Sequence, residues 1–305
     1  MGEATAALED PRAWQYLTMQ VFRINLNVRP PTDAQGKARI GADVFNIFND
    51  YIVPESSVTA AQAAVAVSKL VPDPADGSNA LDDGFFFSLW NDIINIAVQI
   101  PHDHPAMDKL LKVMRELTLL PDTGLRVWDS RLWTDLPVLG AAFRERLNGP
   151  GTSRNEEEQA VIDREWVGFH AFSAKLISAG VVGYTNQAVW MLRDALEEDT
   201  SAKAPSALDR DLVTAAMYIE YAGPILAESI VRTPDPTLSK EDERSLRPGP
   251  LYDGKAGLRS DRWLFWLKRF GEQAEKATTD EAKSLALRSS RLMEIWVEKR
   301  LQPKS

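Results

Sequence analysis

No cysteine occurs among the 305 residues, and only three histidines do. The first absence excludes a disulfide framework, thiolate metal sites and a cysteine nucleophile, and it fits a reducing compartment. Glycine patterns for nucleotide phosphates are missing, as are the G-x-S-x-G elbow, the HExxH helix and zinc-ligand spacings. No metal, redox or other cofactor is expected. No apolar run approaches the roughly 18 residues of a membrane span, so a membrane partner is not expected either. The opening MGEATAALEDP lacks the basic and apolar regions of a signal peptide, and Ala6 breaks the myristoylation pattern. The expected location is cytoplasmic. Positive charge is scarce: 35 Lys and Arg against 44 Asp and Glu leave a net charge of −9 at pH 7. Duplex nucleic acid needs an extended basic footprint, so it is not an expected partner.

What the sequence has is helical spacing punctuated by proline and glycine. A first helix opens at Asp10-Pro11 and carries Trp14, Leu17, Val21, Ile24 and Val28; a second covers about 33–53 and a third about 57–71. The most apolar candidate is 84–100, and a clean amphipathic helix follows at 106–120. After a short aromatic segment with Trp128 and Trp133, a brief helix begins at Asp135 and ends by Asn148-Gly149. Helices at 156–179, 184–198 and 208–222 come next, and Gly223-Pro224 is read as a break before 225–231. Ser260 reads as the cap of a helix over 263–270, and Thr278 with Glu281 as the capping box of the last one. No stretch alternates convincingly with period two. The expected fold is all-α, about eleven helices packed as helical hairpins in one compact domain over residues 1–305. Residues 233–258 hold four prolines and a charged run, and read as a mobile loop.

The best-specified stretch is 247–270, RPGPLYDGKAGLRSDRWLFWLKRF. Its glycines permit close backbone approach, and Arg262, Lys268 and Arg269 are candidate binders of a phosphate or carboxylate. Trp263 and Trp266 read as core. On the preceding helix Trp190, Asp194 and Glu197 share one face beside Arg193, a pattern able to bind a cationic group or position an amine for proton transfer. Asp92 lies in a polar stripe (Ser88, Asn91, Asp92, Asn95, Gln99) on the apolar helix. It is either a partner for a neighbouring helix end or a base lining a pocket. His170, one turn from Trp166, is the histidine expected inside, and Tyr218, Glu220 and Tyr221 precede the Gly-Pro break as candidate ligands. His102-Asp103-His104 reads as a turn that caps the next helix rather than as a metal site.

Several runs carry a family resemblance: Leu89-Trp90, Ile100-Pro101-His102-Asp103-His104-Pro105, Arg131-Leu132-Trp133-Thr134-Asp135-Leu136-Pro137, Glu165-Trp166, VWMLRDALEE at 189–198, and Gly249-Pro250-Leu251-Tyr252 with RWLFWLKRF at 262–270. Together they resemble a fungal family of all-helical proteins of unknown function, named after a member of an oxopyrrolidine biosynthetic cluster. The resemblance covers about 89–296 and implies a setting in specialised metabolism. The segment 193–197 also resembles the DDxxE motif of fungal arginine-containing cyclodipeptide synthases, which form a cyclic dipeptide from charged tRNA. Asp194 and Glu197 match the second and third acids, and Arg193 stands at the first.

Two functions are therefore expected. One is an intracellular accessory or tailoring enzyme that takes a small-molecule, acyl or aminoacyl substrate. It would hold an acidic or phosphorylated group at Arg262, Lys268 and Arg269, with Trp190, Arg193 and Tyr221 beside the substrate. Asp194, Glu197, Asp92 or His170 would carry acid–base, acyl-transfer or cyclisation chemistry. The other is a non-catalytic helical scaffold that binds a protein partner, the use to which stacked helical hairpins are suited.

Overall fold

A computed structural model describes residues 41–74 and 77–297. The fold is all-α: the described residues form eleven helices and one small β-hairpin. The helix expected over 10–28, and the part of the second before Gly41, lie outside the described residues. Where one domain is expected over 1–305, contacts divide the chain between Gly168 and Phe169 into two compact units.

The first unit holds α1 (Gly41–Ile52), α2 (Ala60–Ser68), α3 (Asp83–Ala97), α4 (Pro105–Thr118) and α5 (Leu139–Arg146), with the start of α6 (Glu156–Ser178). Short polar residues set the helix starts. Thr59 and Gln62 form a reciprocal capping box on α2, and Asp82 accepts from Phe85 N at the head of α3. His104 Nδ1 accepts from Ala106 N with Pro105 at the first turn of α4, which is the capping role expected of the His-Asp-His turn. Apolar periodicity then sets the buried faces: Met107, Leu110, Val113, Met114 and Leu117 of α4, and Phe86, Leu89, Trp90, Ile93 and Ile94 of α3. The aromatic segment before α5 is an antiparallel hairpin, β1 (Arg126–Val127) with β2 (Ser130–Arg131), too short to show alternation in the sequence.

The second unit holds the end of α6, α7 (Thr185–Leu196), α8 (Pro205–Arg232), α9 (Lys240–Ser245), α10 (Ser260–Ala274) and α11 (Asp280–Trp296). The expected break at Gly223-Pro224 is absent, and α8 runs through Pro224. Proline removes one helix hydrogen bond and crowds the preceding turn. Here packing outweighs that cost: Ala222, Gly223, Leu226 and Ala227 are buried, and a Cβ on Gly223 would lie 2.0 Å from the Trp296 ring. Two caps shift by a residue. Arg259, without a side-chain capping bond, precedes Ser260 at the start of α10, and Thr279 caps α11 by accepting from Ala282 N. Thr278 instead donates its N–H and hydroxyl to Asp209 of α8. Met293 of α11 is buried and Leu285, Leu292 and Trp296 pack against the core, as the spacing predicts.

Candidate functional site

Of the sequence-predicted site residues in the second unit, Trp190, Arg193, Glu197, Arg262 and Arg269 come together around the end of α7, while His170, Tyr221 and Lys268 lie elsewhere. Glu197, the C-cap residue of α7, turns its carboxylate inward and is fully buried, as is Arg262 on the first turn of α10. Glu197 Oε1 accepts from Arg262 Nε at 2.6 Å and from Trp266 Nε1 at 2.6 Å. Its Oε2 accepts from Arg262 Nη2 at 3.0 Å and from Gly249 N at 2.6 Å. Four acceptor directions on a carboxylate are thereby filled. Arg262 is filled in turn. Beyond its two bonds to Glu197, Nη1 donates to Leu246 O at 2.7 Å and Gly257 O at 3.0 Å, and Nη2 donates to Arg247 O at 3.0 Å. All five N–H groups of the guanidinium have acceptors.

The pair is therefore a clamp on the Gly/Pro loop. Gly249 sits so close to α7 that a Cβ would lie 2.7 Å from Glu197 Cβ and 2.9 Å from Glu197 O, so only glycine fits. Leu251 N donates to Glu197 O at 2.9 Å, closing a second contact beside it. Tyr252 donates its hydroxyl to Asp261 at 2.8 Å, and burial together with that carboxylate raises the phenol's pKa well above its ordinary value. Arg259 donates to Ala256 O and is ion-paired with Asp235. Ser239 caps α9 within the charged part of the stretch. These bonds oppose the mobility that prolines and charges suggest for 233–258. What the loop leaves outside is a short edge: Arg247, Pro250, Leu251, Asp253 and Lys255 are exposed, with Leu251 at 45%.

The remaining candidates have structural partners as well. Trp190 Nε1 and Arg193 Nη1 both donate to Ser245 O, at 2.9 and 3.3 Å. Arg269 donates to Leu196 O at 2.9 Å and to Glu272 at 2.6 Å. Lys268 is 76% exposed and lies 3.5 Å from Glu272. Asp194 keeps a solvent face, 47% exposed, with Arg193 Nε 3.0 Å away. The Tyr221 ring packs under Lys175, whose Nζ is 4.4 Å from its centroid. Asp92 belongs to the first unit, where its carboxylate lies against Gly41 of α1: a Cβ on Gly41 would be 3.2 Å from Oδ1. The substrate roles expected of Glu197 and Arg262 need open donors and acceptors, and the clamp leaves none.

His170 is fully buried, its Nδ1 2.8 Å from the Tyr218 hydroxyl, with Ser173 donating to Gln187 alongside. Burial lowers its pKa from 6.5 to about 3. As pH drops below 6.5 the unfolded chain binds a proton here that the folded chain does not, so stability falls with pH. Between about pH 7.5 and about pH 5 this group alone should cost about 2 kcal/mol. Urea midpoints across that range test it: His170→Phe should flatten the dependence, and an unchanged slope would refute the assignment.

The glycines of this loop were expected to allow close backbone approach, and Gly249 does so against Glu197; Trp266 as a donor and the loop carbonyls as acceptors gave no signal in the sequence. A tryptophan at core spacing gives no sign of where its N–H points. Among the described residues, no group of three or more His, Asp or Glu is placed to hold a metal ion, and no helix is long and apolar enough to cross a membrane. The family described as "Protein of unknown function (DUF3632)" matches residues 90–270. No curated protein and no solved structure matches the chain.

Proposed function

The chain belongs to the DUF3632 family of unknown function, and since membership brings no activity, we propose from the site's geometry that it is a non-catalytic helical binding protein. It would display the edge of its 247–255 loop to a protein partner. The observation that carries this reading is the saturated Glu197–Arg262 clamp. The carboxylate expected to carry chemistry and the guanidinium expected to hold substrate are engaged in holding an irregular loop still. A loop fixed on helices loses little conformational entropy on binding, which favours affinity. Exposed Leu251 supplies an apolar contact, and Arg247 and Lys255 flank it. The setting that the sequence resemblance implies is fungal specialised metabolism, with the partner another protein of that pathway.

The test is cross-linking and affinity purification from the source cells with wild type and an Arg247→Glu/Leu251→Asp double variant. Both side chains face solvent, so the melting temperature should not move. One partner should be recovered near stoichiometry with wild type and drop about tenfold or more with the variant. Equal recovery, or no stoichiometric partner with wild type, would overturn the reading. A tailoring-enzyme reading draws on one observation, the half-exposed carboxylate of Asp194. Asp194→Ala should leave the metabolite profile unchanged; a lost product with the variant well expressed would restore the enzyme.

A further inference from the structure

The first unit carries a feature that neither function uses. Trp128 is the first central residue of the two-residue turn between β1 and β2, and its φ is +52°. Asp129, the second, has no positive φ, so the turn has the φ pattern of type II′, which calls for glycine at the position Trp128 occupies. The indole gains little packing in return, since the residue is 60% exposed. Its Nε1 donates to Asp83 at 3.0 Å, which fixes the orientation of a ring that stays largely exposed. The hairpin beneath is firmly held: Arg126 N donates to Asn79 O and Leu81 N to Arg126 O, each at 2.8 Å. A side chain kept in an unfavourable backbone state, exposed and pinned, is the pattern of a recognition residue rather than a core one.

Charge decides what it recognises. The two guanidiniums of the hairpin are neutralised by their own carboxylates: Arg126 by Asp122 at 3.0 Å, and Arg131 by Asp135 at 2.7 Å. Asp83, on the indole N–H, and exposed Asp129 then leave the tip acidic. An electron-rich ring face with adjacent carboxylates suits a cation. We propose that the Trp128 tip is a docking point for a lysine- or arginine-bearing segment of a protein partner, its cationic head over the indole. This contact is separate from the 247–255 loop and does not depend on the reading given to that loop.

The experiment uses the full chain and fluorescence polarisation with two labelled octapeptides, one alternating lysine with glycine and one alternating glutamate with glycine. The lysine peptide should bind and the glutamate peptide should not. Trp128→Leu, which keeps apolar area but removes the ring, should weaken lysine-peptide binding by about tenfold, near the middle of the cation–π range. Trp128→Gly should weaken it as much while leaving the melting temperature unchanged or raised, because glycine suits the turn. Equal affinity of Trp128→Leu and wild type, or lysine-peptide binding no tighter than the glutamate peptide's, would overturn the proposal. A lower melting temperature for Trp128→Gly would assign the residue to stability and overturn it too.

Discussion

Arg262→Ala is expected to lower the unfolding free energy by about 3–5 kcal/mol, the usual cost of breaking a buried ion pair from one side. The loss is one-sided because Glu197 stays fully buried and retains only the Trp266 and Gly249 donors. The carbonyls of Leu246, Arg247 and Gly257 lose their guanidinium donor at the same time. Arg262→Lys should recover little, since three donors on a flexible stem cannot reproduce a planar fork that meets five acceptors. A double variant, Glu197→Leu with Arg262→Met, should regain part of the stability by removing both desolvated charges together. It should not regain the loop's rigidity, so its hydrogen exchange over 245–257 should stay fast and its partner binding weak. Urea unfolding and exchange mass spectrometry read the two effects separately. An Arg262→Ala variant within about 1 kcal/mol of wild type would show that the pair is not the clamp described.

The parts of the fold legible in the sequence are those fixed by local physics. Apolar periodicity gave α4 and α11 their buried faces, and the His102-Asp103-His104 turn marked the start of α4 because a capping side chain acts within two or three residues. Pro224 misled because its cost is local and its compensation is not: the partner that fills the space over Gly223 is Trp296, 73 positions away, and no local pattern announces that packing. The site divides the same way. The sequence offered glycines able to approach closely and put Arg262 and Glu197 in one expected site, and the structure joins Gly249, Glu197 and Arg262 in one set of bonds. What it could not supply is which charges cancel. Glu197 and Arg262 are 65 residues apart and look like free site groups until their burial is known. A charged residue at a helix end reads as solvated by default, and only the surrounding aromatic rings, Tyr252 and Trp266 over the guanidinium, reveal the opposite.

Trp90→Ala should cost about 3–5 kcal/mol, comparable to the loss at Arg262, by leaving a cavity in the first unit. Trp90 is fully buried, meets Trp133 edge to face with centroids 6.2 Å apart, and donates its indole N–H to Pro137 O at 2.6 Å. That bond holds a stretch under backbone strain: Trp133, Leu136 and Val138 all have left-handed φ, at 66°, 44° and 66°, without a glycine among them. Conformations of this kind cost about 1–3 kcal/mol each and persist only where surrounding contacts over-determine them. Trp90 is such a contact, packing on one strained residue and bonding the carbonyl between two others. Trp90→Phe separates the two contributions. It keeps most of the ring area but leaves Pro137 O without its donor, an expected loss of about 1–3 kcal/mol. Both variants should speed hydrogen exchange over 133–138, because the strained residues relax once their restraint is removed. Trp90→Phe as stable as wild type, with exchange over 133–138 unchanged, would mean that the strain is held by other contacts and that the indole serves only to fill space.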